Sequence, residues 1–130
     1  MSGKRILVVD DEAAIVTILK GRLRSYGYEV RCAFDGASAL EMVAEEVPDC
    51  VILDLEMPGM GGFEVLAQLK KSHPTLPVLV LTASASKTTE QKVLEAGAVG
   101  YVLKPFDPET LRLKVERAVR LAETPEHGEP

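Results

Sequence analysis

Short, almost unbroken apolar runs alternate along this chain with longer stretches in which apolar residues recur every third or fourth position. The runs fall at residues 6–9, 51–53, 78–81 and 101–103, with a weaker one, containing Val30 and Cys32, at residues 29–33. Apolar character on successive residues means that both faces of a strand are covered, as in a parallel sheet. The intervening stretches have helical spacing. Ile15, Leu19, Leu23 and Tyr26 share one stripe, and Leu40, Val43, Ala44 and Val47 a second. Phe63, Leu66 and Leu69 form a third, and Leu111, Val115, Ala118 and Ala122 another. Residues 87–96 complete the set of helices but carry few apolar positions, so this helix is expected to be the least firmly packed.

The punctuation agrees. Asp107-Pro108-Glu109 supplies a cap, a first-turn proline and an acid to the last helix. Gly27, Gly36, Gly97 and Gly100 mark changeovers between element types. Five strands alternating with five helices predict a doubly wound α/β domain. A length of 130 residues suits one such domain, with 46% hydrophobic and 27% charged residues enough to fold without disulfide or metal. The net charge of −5 disfavours direct nucleic-acid binding, which needs clustered cations. Four apolar residues between Arg5 and Asp10 are too few for a secretory signal or a membrane span. Cys32 and Cys50 are isolated inside apolar runs and read as reduced core thiols, which points to the cytoplasm. Residues 123–130 hold two prolines, a glycine and three glutamates, so the domain is placed at 1–122 with a flexible tail or linker start after it.

Candidate chemistry collects where a parallel sheet presents it, at the carboxyl ends of the strands. The first strand runs into Asp10-Asp11-Glu12, the third into Asp54-Leu55-Glu56, the fourth into Thr82-Ala83-Ser84 and the fifth into Lys104-Pro105. A single acid in such a place is usually a helix cap. Acids or a hydroxyl at three strand ends, with a lysine at another, are hard to obtain from capping alone. Asp10, Asp11 and Asp54 brought together would repel one another unless a cation intervened, and a few hard oxygen ligands suit Mg²⁺. A carboxylate can attack a phosphoryl group to form an acyl phosphate, whose charge a lysine and a hydroxyl would receive.

With those stretches, and with Val51–Met60 and Gly100–Phe106 in the same order and spacing, the chain resembles the receiver domain of bacterial two-component response regulators from about Arg5 to Ala122. The resemblance implies a flavodoxin-like sheet of order 2-1-3-4-5. It makes Asp54 the phosphoacceptor for a sensor histidine kinase or phosphotransfer protein. Asp11, Asp54 and the backbone carbonyl of Glu56 would ligate Mg²⁺ (or Mn²⁺), with Asp10 acting through a water. Thr82 and Lys104 would contact the phosphoryl oxygens, and the Lys104–Pro105 bond would be cis. Tyr101 resembles the family's switch aromatic, turning inward as Thr82 moves and reshaping the face of the fourth helix, fifth strand and fifth helix. Such a domain is a switch rather than a turnover enzyme. Gly61 departs from the acidic or polar residue many members carry there, which removes a side-chain cap from the third helix.

Other readings are blander. Glu56 and Ser84 flank the expected phosphate and would tune its hydrolysis; otherwise they are solvated loop residues. Leu113 and Leu121 lie off the main stripe of the last helix, offering a surface for a downstream protein target or a phosphorylation-dependent homodimer. Lys114, Arg117 and Arg120 on that helix read as a solvated face, His73 and His127 as surface residues, and Met57 as hydrophobic cover. An aspartyl-phosphate hydrolase would want a second aspartate where Glu56 stands. A flavodoxin-like cofactor binder would want a Ser/Thr/Gly-rich loop in place of Asp10-Asp11-Glu12. A degenerate receiver would lack part of the acid set. The chain is either a stand-alone regulator or a receiver from a longer protein.

Overall fold

The computed structural model describes residues 3–123. Five strands and five helices alternate: β1 (Arg5–Val9), α1 (Ala13–Ser25), β2 (Glu29–Ala33), α2 (Gly36–Glu45) and β3 (Cys50–Asp54) come first. They are followed by α3 (Gly62–Ser72), β4 (Val78–Thr82), α4 (Lys87–Glu95), β5 (Gly100–Leu103) and α5 (Pro108–Glu123). All strand pairs are parallel and the sheet order is β2-β1-β3-β4-β5, as expected. Among the described residues no helix is long and apolar enough to cross a membrane.

The period-two geometry of a strand explains why the central runs are apolar throughout. Leu7, Val9, Val51, Leu53, Val78 and Val80 point into one core with Ala39 and Val43 of α2 and Val65, Leu66 and Leu69 of α3. Their neighbours Ile6, Val8, Cys50, Ile52, Leu79 and Leu81 point into the other, against Val16, Leu19 and Leu23 of α1 and Leu111, Val115 and Ala118 of α5. Each fully buried aliphatic contributes roughly 1.5–3 kcal/mol, so the two layers fasten the sheet from both sides. Both cysteines are free. Cys50 is fully enclosed, and burial first, then the Asp49 charge, pushes its thiol up to about 12, leaving it protonated and inert.

The helical stripes are displaced from their expected phase in four places. α1 buries Val16 with Leu19 and Leu23, while Ile15 is half-buried. In α2, Gly36, Ala39 and Val43 are buried, whereas Ala44 is exposed, as is Val47, which lies past the end of the helix. In α3 it is Gly62, Val65, Leu66 and Leu69, with Phe63 exposed. In α5 Val119 joins Leu111, Val115 and Ala118, and Ala122 is exposed. For α2 and α3 the physical reason is glycine. A Cβ on Gly62 would lie 2.6 Å from Leu55 Cα, and one on Gly36 would lie 2.7 Å from Val65 Cγ2, so these first residues must face inward. Positions three, four and seven residues later then follow them into the core. Hydropathy does not count a glycine as an inward position.

α4 buries only Val93 and is the most thinly anchored helix, as its composition predicts. Asp107 accepts the Thr110 N–H as the expected cap of α5 at 2.9 Å, and Gly61 precedes α3 with no side-chain cap. Gly27 and Gly97 close α1 and α4 with φ of 98° and 107°. Gly36 is helical rather than a turn residue. Leu113 is exposed and Leu121 half-buried. α5 extends one residue past the expected boundary at 122; the rest of the expected tail, with His127, lies outside the described residues. His73 follows α3 at the opposite end of the sheet from the strand-end acids, where its Nδ1 pairs with Ser72 Oγ at 3.0 Å.

Candidate functional site

Register brings the reactive strand ends level. Val9 is opposite Leu53, Asp54 opposite Leu81 and Thr82 opposite Leu103, so Asp10, Asp54, Thr82 and Lys104 emerge side by side at the carboxyl edge. Lys104 N–H donates to Thr82 O at 2.8 Å and Leu55 N–H to Leu81 O at 2.9 Å, carrying the backbone ladder into the loops. The Lys104–Pro105 bond is cis, as expected.

The acids differ in their surroundings. Asp10 and Asp54 are buried, while Asp11 is exposed, and carboxylate oxygens of all three come within 4.8 Å of one another. Asp10 Oδ1 accepts the Glu12 N–H at 3.0 Å and Asp54 Oδ1 the Glu56 N–H at 3.2 Å. Lys104 Nζ stands 3.0 Å from Asp54 Oδ1, 3.6 Å from Asp10 Oδ2 and 3.5 Å from Glu12 Oε1. Asp10 Oδ2 and Asp54 Oδ2 are buried without a hydrogen-bond partner among the described residues. Two orphaned anionic oxygens in one cleft are costly, and one lysine does not satisfy them. Burial drives the Asp54 carboxyl upward; Lys104 opposes this, Asp10 adds to it, and the net value is raised to about 6. Burial acts to lower the Lys104 ammonium, but Asp54, Asp10 and Glu12 outweigh it and the net shift is upward. Hard, incompletely enclosed oxygens with unmet demand for positive charge form a donor set that fits a small divalent cation.

Thr82 is buried at the end of β4. Its hydroxyl donates to Glu56 Oε2 at 2.5 Å and accepts the Ser84 N–H at 3.0 Å, while Glu56 Oε1 accepts the Ala83 N–H at 3.2 Å. Ser84 Oγ pairs with Thr89 Oγ1 at 3.1 Å and accepts the Ser86 N–H at 3.3 Å, tying this loop to the start of α4. Glu56 and Ser84 are thus bonded members of the site rather than merely solvated residues.

Tyr101 lies two positions before the end of β5 and belongs to a second cluster. Lys114 Nζ donates to its carbonyl at 2.7 Å and stands 4.9 Å from its ring centroid. Burial, then the hydrogen bond its hydroxyl donates to the Glu90 carboxylate, raises the Tyr101 hydroxyl. The ring is therefore held between α4 and α5. Lys114, expected in a solvated face, is instead half-buried on Tyr101, because it sits one turn after Leu111 at the margin of the buried stripe. Glu12, Glu90 and Lys114 are partners whose contacts the sequence reading did not assign. Glu12 had a signal, its place in the acid run; the other two meet Tyr101 only through the packing of α4, β5 and α5.

The response regulator receiver domain family matches residues 6–116 of this chain. It belongs to that family. The transcriptional regulatory protein ZraR of Klebsiella oxytoca is 43% identical across 96% of this receiver, which spans only 29% of ZraR. The receiver domain of NtrX from Brucella abortus superposes with a TM-score of 0.85 at 38% identity, covering 88% of this chain and 98% of that one. A CheY-like response regulator receiver domain protein from Methanospirillum hungatei JF-1 does so with a TM-score of 0.87 at 34% identity, covering 94% and 98%. The receiver is thus of the two-component signalling class, whose members work with kinases or phosphotransfer partners. It spans less than a third of the curated relatives it matches.

Proposed function

We propose that the receiver is a phosphorylation-dependent switch in which Asp54 accepts a phosphoryl group from a phosphohistidine on a sensor kinase or phosphotransfer protein. The observation that carries this is the pair of orphaned buried oxygens on Asp10 and Asp54, with Lys104 already 3.0 Å from the latter. Asp11, Asp54 and the backbone carbonyl of Glu56 would hold Mg²⁺, or Mn²⁺, with Asp10 acting through a water. The chemistry such an ion supplies is neutralisation of the acids and of the charge on the transferring group.

A carboxylate oxygen of Asp54 attacks phosphorus, a P–O bond forms as the P–N bond breaks, and the leaving imidazole nitrogen keeps the electron pair and takes up a proton. Lys104 transfers its contact from the Asp54 carboxylate to a phosphoryl oxygen, and the Thr82 hydroxyl turns to another. Tyr101, held outside by Glu90 and Lys114, then follows Thr82 inward and changes the face of α4, β5 and α5. That face presents exposed Leu94, Leu103 and Leu113 to a target protein or a second phosphorylated copy. Glu56 and Ser84 border the path by which water reaches the acyl phosphate and set its lifetime. The receiver takes one phosphoryl group per molecule and is not a turnover enzyme; it has no direct role on nucleic acid and acts in the cytoplasm.

Incubation with Mg²⁺ and an acyl phosphate, read by intact mass, tests the reading. One added phosphoryl group that is absent in Asp54→Ala supports it. An unlabelled, folded parent protein in Mg²⁺ sinks it.

A further inference from the structure

The Glu56 side chain occupies two donors at the carboxyl end of β4, next to the strand that ends in Asp54. Its oxygens are placed one on the Thr82 hydroxyl, at 2.5 Å, and one on the Ala83 N–H, at 3.2 Å. A hydroxyl and a backbone amide each have one proton to give, so neither can serve Glu56 and a phosphoryl oxygen together. We infer that Glu56 is an internal anion that latches the resting receiver, competing with the phosphoryl group for Thr82 and Ala83. The inference rests on Asp54 being the phosphoacceptor, and it goes beyond a role for Glu56 in hydrolysis, because it sets how readily the phosphorylated state forms.

Charge works in the same direction. Phosphorylation replaces the single carboxylate charge of Asp54 with up to two on the phosphoryl oxygens, beside which the Glu56 carboxylate is a like charge. Glu56 must therefore leave its donors, and it is free to do so, being exposed on the loop between β3 and α3. The latch also has a readable far end. Thr82 Oγ accepts the Ser84 N–H, and Ser84 Oγ meets Thr89 Oγ1 and the Ser86 N–H at the start of α4. Glu56 thus joins the β3–α3 loop to the amino end of the helix that buries only Val93. Its departure frees Thr82 and loosens that connection in one event.

Beryllium trifluoride with Mg²⁺ serves as the probe, because it mimics the acyl phosphate without being hydrolysed. Glu56→Ala should bind it about tenfold more tightly than the parent, the size expected for removing a competing charged hydrogen bond. Glu56→Gln, which keeps one acceptor but no charge, should fall between. In the Thr82→Val background, where the contested hydroxyl is gone, the gain from Glu56→Ala should shrink to about threefold or less. An equal gain in both backgrounds would mean charge repulsion alone and would overturn the latch, as would an unchanged or weaker affinity in Glu56→Ala. A parent that takes no beryllium trifluoride at all overturns the phosphoacceptor reading and the competition with it. Amide hydrogen exchange in the metal-free protein gives a separate readout: the Ala83 N–H should exchange several-fold faster in Glu56→Ala, and unchanged exchange refutes the resting contact.

Discussion

The two ends of the sheet use the same kinds of charged residue to opposite effect. At the amino end, Arg5 Nη1 meets Glu46 Oε2 at 2.7 Å, Arg31 Nη1 meets Glu46 Oε1 at 3.3 Å, and the Arg5 N–H donates to Asp49 at 2.8 Å. These side chains are about half exposed, so water shares their solvation and little depends on each pair. At the carboxyl end, Asp10 and Asp54 are enclosed, each has an oxygen without a hydrogen bond among the described residues, and a single ammonium faces three acids. Satisfied charges in water cost the fold little and do nothing further. Unsatisfied charges taken out of water create a standing demand for a cation, and that demand is the chemistry of the site.

The largest effects should appear at the carboxyl end. Lys104→Met should slow labelling by an acyl phosphate at least about a hundredfold, as loss of one preorganised donor to a transferring group does. A time course by intact mass measures it, and a rate within threefold of the parent would detach Lys104 from the reaction. Next comes the stability of the metal-free protein. The Asp54 carboxyl is raised from 3.8 to about 6, so the folded state binds the extra proton between those values. Stability from this group is therefore gained as pH falls through about 6 and is absent above it. Asp54→Asn should stabilise the metal-free protein at pH 7.5 by about 1–3 kcal/mol and flatten its pH dependence between 5 and 7.5. Denaturant titration at both pH values checks this; a destabilised Asp54→Asn would contradict the account of the burial strain.

Mg²⁺ provides the intermediate test. At ten times its dissociation constant it should stabilise the parent by about 1.4 kcal/mol, and Asp11→Asn, whose side chain is exposed, should fold normally but lose that increment. Equal stabilisation of both would move the ion away from Asp11. The smallest effect belongs to the other end. Arg5→Ala should cost no more than about 1 kcal/mol, fade in high salt and leave the Mg²⁺ response unchanged. A larger, Mg²⁺-dependent loss would erase the contrast between the two ends.

Much of the site was legible because parallel sheets deliver strand ends to one edge. Once residues 6–9, 51–53 and 78–81 are read as buried strands, Asp10, Asp54 and Thr82 must emerge together. The partners of Tyr101 were not legible, since Glu90 and Lys114 reach it from helices before and after β5. Glu56 was named as a flanking residue, but its grip on Thr82 and Ala83 depends on where a flexible side chain rests across two loops.

By itself, the order of residues determined the alternation of elements, the two-sided burial of the strands, the thin anchoring of α4 and the convergence of Asp10, Asp11, Asp54, Thr82 and Lys104. These follow from periodicities of two and about 3.6, which are local properties of the chain. Tertiary structure alone decided the phase of α2 and α3, through the close approach of Gly36 and Gly62 to their neighbours. It alone decided that Asp10 and Asp54 each keep an oxygen without a hydrogen bond, and that Glu56 rests on the Thr82 hydroxyl and the Ala83 N–H. Those outcomes depend on which groups exclude water and which compete for one proton, and both are settled only when distant segments share the same few ångströms.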